Sequence, residues 1–162
     1  RTTMRLILCV SLFVVLGCSS TIQPSKTIKK EEIVFNTISK GTLFGNGIEG
    51  ILEEKFTITN EKQWQVFLNK INSVNNVSLS FTETNINFSN HIIICVFDAI
   101  RNTGGYAIEI KRVFVEKNNL NIVYTKKGPG PMEMVTTAIT QPYHIVKIEK
   151  RGEGHKFINK NQ

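Results

Sequence analysis

The side chains able to do chemistry are His91, His144 and His155, Cys95, and thirteen Asp and Glu residues. Their spacing argues against an assembled catalytic centre. The histidines lie far apart in sequence with no metal-ligand spacing among them. His91 and Cys95 share a face of one predicted strand but stand about 13 Å apart along it, whereas a zinc ion holds its ligand atoms at about 2 Å. No HExxH, CxxC or GxSxG pattern occurs. Cys95 sits inside an apolar run and reads as a small buried hydrophobe. An enzyme reading would have to assemble His91, Glu133 and His144, and Glu133 reads as a solvated loop charge. The expectation is no catalytic residue, no metal and no cofactor. What remains is loop chemistry at Arg101-Asn102-Thr103-Gly104-Gly105-Tyr106. Its two glycines can take positive φ, and Tyr106 opens the next strand with a ring that packs and a hydroxyl that seeks a partner. Such a turn is either plain hairpin structure or a protruding binding wedge.

The elements that hold this turn follow from periodicity. Ile92 to Phe97 is an unbroken apolar run, as in a strand buried on both faces or at a sheet centre. Tyr106, Ile108 and Ile110 alternate with polar residues; the apolar side then slips to Val113 and Val115, which predicts a β-bulge near Lys111-Arg112. Lys117-Asn118-Asn119 is a hairpin turn, and Leu120, Ile122 and Tyr124 alternate on the return strand. Lys126-Lys127-Gly128-Pro129-Gly130-Pro131 cannot be regular structure, Met132 to Thr140 is a strand or extended loop, and Tyr143 to Glu149 is a last strand. Upstream, Ile33–Ser39 and Ile51–Thr59 read as strands, joined by a segment carrying Gly41, Gly45, Gly47 and Gly50 that lacks any phosphate-loop register and reads as a mobile hairpin. Asn60 caps a helix, with Gln63 placed to complete a capping box. Trp64, Phe67, Leu68 and Ile71 form its apolar stripe, and it should end near Asn72-Ser73. The fold class expected is α+β and mostly β: an antiparallel curved sheet, or a small barrel or sandwich, with one packed helix.

With 162 residues there is room for one domain. The formal charge of +7 falls to +5 without residues 1–17, because Arg1 and Arg5 leave 18 basic against 13 acidic residues. Lys126, Lys127, Lys147, Lys150, Arg151 and Lys156 come late in the chain and read as a solvated face; no nucleic-acid partner is expected. Residues 1–17 read as a lipoprotein signal peptide. Arg5 precedes an apolar run from Leu6 to Leu16, too short to span a bilayer, and Val15-Leu16-Gly17-Cys18 resembles the bacterial lipobox. Met4 is the suspected true start. Cys18 would be lipidated, and residues 18–32 would form a polar tether to a globular domain at 33–150, followed by a loose charged tail at 151–162. These readings place the protein in the bacterial cell envelope, anchored at the outer membrane or a periplasm-facing membrane.

The apolar strand, the Arg101-Asn102-Thr103-Gly104-Gly105-Tyr106 turn, the Gly128–Pro131 loop and Thr140-Gln141-Pro142-Tyr143-His144-Ile145-Val146 together resemble the C-terminal domain of the PrcB family of protease complex subunits, best over 91–150. The resemblance implies a non-catalytic accessory lipoprotein that binds a surface or secreted protease or another envelope protein. Arg101, Thr103, Gly104, Gly105, Tyr106, Pro129, Pro142 and Tyr143 are then the candidate partner contacts. A second pattern is similar to the chagasin-like cysteine-protease inhibitors, whose Thr-Gly-aromatic turn enters a protease cleft. Thr103, Gly105 and Tyr106 match that turn, while its preceding Asn-Pro and its Arg-Pro-aromatic loop have no counterpart.

Overall fold

The computed structural model describes residues 30–151 and 154–161. The signal peptide, Cys18 and the tether up to residue 29 lie outside the described residues. Eight strands and one α-helix follow in the order β1 (Glu31–Glu32), β2 (Phe35–Leu43), β3 (Lys55–Ile58), α1 (Glu61–Ile71), β4 (His91–Phe97), β5 (Ala107–Glu116), β6 (Asn119–Lys127), β7 (Gln141–Glu149) and β8 (Gly154–Asn159). They form two four-stranded sheets, β1-β5-β6-β8 and β2-β7-β4-β3, antiparallel except where β8 runs parallel to β6. The architecture is α+β and mostly β, a sandwich of two sheets that do not close into a barrel, with α1 covering the outer face of the second sheet.

β4 lies at the junction of the layers. Ile92, Ile94 and Val96 enter the core between the sheets with Ile108, Ile110, Val113, Leu120 and Ile122. Ile93, Cys95 and Phe97 face the other way, into a core with Trp64, Phe67 and Ile71 of α1. A strand covered on both faces has no use for alternation, which is why its sequence is unbroken in apolar character. Each such side chain contributes roughly 1.5–3 kcal/mol by leaving water.

The helix begins as its sequence implies. Asn60 Oδ1 accepts the Gln63 N–H at 3.0 Å. Gln63 Oε1 reaches back to the Thr59 N–H at 2.9 Å, one residue earlier than the expected box. The stripe is buried at Trp64, Phe67 and Ile71, the helix stops at Ile71, and Trp64 Nε1 donates to the Thr84 carbonyl at 2.7 Å. The β5–β6 ladder shifts register between Ile110 and Arg112, so Lys111 is the extra residue of a bulge. Lys117 and Asn118 take φ of 50° and 63°, the left-handed conformation that a two-residue hairpin demands.

Several boundaries differ from the sequence reading. Residues 154–159 of the supposed loose tail form β8, because β6 offers an open edge and Phe157 packs against the core between the sheets. The end of the supposed tether, Glu31-Glu32, pairs with Val115 and Phe114 as β1. The first long strand runs Phe35–Leu43 rather than 33–39, and the second shrinks to Lys55–Ile58. Between them residues 44–54 form turns and loop, with Gly47 and Gly50 at φ of 79° and 65°. Lys126 and Lys127, expected outside regular structure, complete β6, and Met132 to Thr140 takes the loop alternative, ending in the isolated Arg101–Thr140 bridge.

Candidate protein-docking site

Three connections meet at one end of the sandwich. The 44–54 loop joins β2 to β3, the 98–106 loop joins β4 to β5, and the 128–140 loop joins β6 to β7. The registers place them together: Leu43 opposes Gln141, Phe97 opposes Tyr143, and Ala107 opposes Lys127. The chain enters the described fold at the other end, where Lys30 Nζ lies 3.7 Å from Glu116 beside the β5–β6 hairpin.

Beneath the loops lies a polar platform. Asp98 follows β4, and its side chain is 1 % exposed. One carboxylate oxygen accepts from Arg101 Nε and Nη2 at 3.1 and 2.9 Å, and the other lies 2.6 Å from Lys126 Nζ. Lys126 also pairs with Glu53 of the first loop. Burial alone would raise the Asp98 pKa, but the hydrogen bonds from Lys126 and Arg101 outweigh it and hold the carboxyl below the usual range. For Lys126, burial opposes the charge while Asp98 and Glu53 favour it, and the net shift is upward. Gln141 Nε2 donates to the carbonyls of Ile51 and Asp98 at 2.9 and 3.0 Å. Thr140 Oγ1 donates to the Thr103 carbonyl at 2.7 Å, and Arg101 and Thr140 exchange both backbone hydrogen bonds. Thr140, the last residue of the third loop, and Gln141, the first of β7, thus tie all three loops to one another.

The predicted turn is clamped rather than free-standing. Gly104 N–H donates to the Thr136 carbonyl at 3.0 Å. Gly105 takes φ of 84°, and a Cβ there would meet Val135 at 2.8 Å and Pro129 at 3.0 Å. Tyr106 lies against Gly128, and the Arg101 guanidinium stacks on its ring, 4.6 Å from the centroid. Arg101, Thr103, Gly104, Gly105, Tyr106 and Pro129 therefore do come together. Pro142 and Tyr143 do not join them at the surface. Both are buried, and Tyr143 is 4 % exposed with its hydroxyl 2.9 Å from Ser39 Oγ and its ring stacked on Phe97. They begin a central strand, so their side chains serve the core.

Sequence reading missed the exposed apolar residues of these loops and the buried Asp98. Met132 and Met134 are 96 and 98 % exposed, and Phe44, Ile48, Leu52 and Ile100 are also exposed on the same three loops. The available signal was large apolar side chains inside segments already read as glycine- and proline-rich loops. Asp98 was missed because it terminates a strand that looked wholly apolar.

The remaining titratable groups do not converge. His91 and His144 lie on different strands, with His91 opposite Glu149 and His144 opposite Val96. His144, 2 % exposed, receives the Ile110 N–H at the bulge on Nδ1 at 3.0 Å and meets Thr37 Oγ1 through Nε2 at 3.0 Å. Burial chiefly, with Lys40 nearby, pushes its pKa down to about 4. Glu133 closes a tight turn by accepting the Gly130 N–H. Cys95 is fully buried, and burial pushes its thiol pKa well up. Lys147 pairs with Glu83 and Arg151 with Glu149, so the late basic residues are spread over separate ion pairs. Among the described residues no group of histidine, cysteine and carboxylate side chains could hold a metal ion, and no helix is long and apolar enough to cross a membrane.

Residues 92–149, from β4 through β7, match the family model described as PrcB C-terminal. Over these residues the chain is similar to the PrcB C-terminal family. No curated protein and no solved structure matches the chain. The PrcB C-terminal stretch holds the clamped turn, the Gly-Pro loop and the start of β7. β2, β3 and α1 precede it in sequence and complete its sheet and its outer core.

Proposed function

We propose that this protein is a lipid-anchored, non-catalytic accessory protein of the bacterial cell envelope that docks a surface or secreted protease complex through its three-loop end. The observation that carries the reading is the set of exposed methionines and aliphatic side chains on those loops, held over the buried Asp98 platform. Exposed apolar clusters rimmed by polar residues mark protein-binding surfaces, and methionine adapts to a partner's relief. The end fits a protein partner better than a bilayer, because the chain enters from the Cys18 side at the opposite end. β5 alone separates the two ends by about 30 Å. The family's association with a protease complex supplies the class of partner.

The test is affinity capture from detergent-solubilised native envelopes. The full-length protein, a Met132→Asp, Met134→Asp variant and a Leu79→Asp control serve as baits. Leu79 is also largely exposed, at 84 %, but lies on the 3₁₀ turn Val77–Ser80. Recovery of a protease-containing complex by the first and third baits only is the expected result. Equal recovery by all three removes the loop end from the contact, and recovery of no protease complex removes the accessory role. Radiolabelled palmitate incorporation, lost in Cys18→Ser, tests the anchor separately.

A further inference from the structure

A groove of about 410 Å³ runs between α1 and β3, outside the PrcB C-terminal stretch and apart from the residues named for loop docking. Its floor and walls are Phe56 and Ile58 of β3 with Val66 and Phe67 of α1. Val66 is 62 % exposed although it stands beside this apolar surface. β3 is the edge of its sheet. The Glu54 carbonyl accepts the Phe97 N–H, and Phe56 and Ile58 oppose Cys95 and Ile93. The backbone groups of residues 54, 56 and 58 are therefore turned to β4, and those of Lys55 and Thr57 are turned outward. Among the described residues no backbone group pairs with these outward N–H and C=O groups. Lys62 and Lys70 stand on the helix side, with Glu54 as the one carboxylate on the groove, 4.0 Å from Lys70.

We infer that the β3 edge and this groove bind an extended peptide segment of a partner protein by strand addition. An unpaired edge supplies backbone hydrogen bonds in register, and an apolar trough beside it accepts every second side chain. The four residues of β3 offer about 13 Å of edge, enough for the two outward residues to pair. The excess of lysine over carboxylate on the rim selects a segment bearing an acidic residue beside its alternating apolar side chains. This surface adjoins the first loop through Ile51 and Glu54 but uses none of the exposed side chains named for loop-end docking, and it does not depend on that reading.

Selection of a displayed library of random peptides on the purified full-length protein tests the inference. Enriched sequences should alternate apolar and polar residues and carry an acid. Added as synthetic peptides, they should slow amide hydrogen exchange at Lys55 and Thr57. N-methylation of alternate peptide nitrogens should weaken binding at least about tenfold, a control that leaves the protein untouched. Val66→Glu should weaken it comparably, while Met134→Asp should not. No enrichment of such a pattern, protection of amides elsewhere, or indifference to N-methylation overturns the proposal. Failure of the full-length protein to capture a protease complex, with peptide binding intact, would count against the proposed accessory role alone.

Discussion

Lowering the pH from about 7 to about 4.5 will charge His144 in the unfolded chain well before it can be charged in the folded one. In the fold its Nδ1 accepts the Ile110 N–H, so the proton resides on Nε2 and is donated to Thr37 Oγ1. A second proton would set two N–H groups against each other inside a core of Val113, Val146 and Ile148. The ordinary value of 6.5 falls to about 4. Between those values the unfolded state binds more protons, so stability rises with pH. It is fully present above about 6.5 and is lost progressively down to about 4. A separation of about 2.5 units at 1.36 kcal/mol each sets the ceiling near 3.4 kcal/mol, and about 2.5 kcal/mol of that is gone by pH 4.5. Because His144 is almost wholly buried, solvent screening removes little of this. Urea unfolding followed by fluorescence of Trp64, the only tryptophan, measures it. His144→Gln should be less stable at neutral pH by roughly 1–3 kcal/mol through imperfect hydrogen bonding, and the gap to the parent should close by about 2.5 kcal/mol on acidification. Asp98, Glu109 and Glu32, all held below the usual carboxylate range, also weaken the fold in acid, but they do so in both proteins. Parallel pH profiles for parent and variant would refute the reasoning, as would a nitrogen spectrum placing the neutral proton on Nδ1.

Three further outcomes follow from the same geometry. Asp98→Asn should cost up to about 3 kcal/mol at neutral pH in urea unfolding, less than for a fully buried pair because Lys126 and Arg101 still reach water. Gly105→Ala and Gly50→Ala both place a side chain at positive φ, but only the first also meets Val135 and Pro129. Gly50→Ala should therefore cost about 1 kcal/mol and Gly105→Ala clearly more in thermal unfolding. Trp64→Ala should cost about 3–5 kcal/mol by opening a cavity under α1 and orphaning the Thr84 carbonyl, read from the urea midpoint by far-ultraviolet circular dichroism.

The parts of the fold readable from sequence are those where one local rule decided the outcome. Doubly buried β4 announces itself by uninterrupted apolar residues, the bulge by a slip of parity at Lys111, and α1 by Asn60 and a stripe at helical spacing. Where pairing decides, the sequence is mute. Glu31-Glu32 and residues 154–159 become strands only because β5 and β6 present open edges, and nothing in their composition says so. The site divides in the same way. The Thr103–Tyr106 turn is visible as a glycine-shaped connection, but its clamping by Val135 and Thr136 is tertiary. Pro142 and Tyr143 look like a motif and prove to be core, since a strand's first residues can be covered by the loops above them.

The blocks similar to the PrcB C-terminal family encode the scaffold under the loops. Thr140 and Gln141 hold the loops from below, Tyr143 fills the core, and His144 secures the bulge of the facing sheet. The side chains of this block are spent on a rigid base. Exposure falls instead to residues between the blocks, such as Met132 and Met134, and to Phe44, Ile48 and Leu52, which lie before the matched stretch. A partner that recognised these loops would be choosing among side chains free to vary without disturbing the sheets. The same division explains why the turn is clamped. A contact surface made from three separate connections keeps its shape only if they are fastened to one another, and the Asp98–Lys126–Glu53 chain of charges does that across two of them.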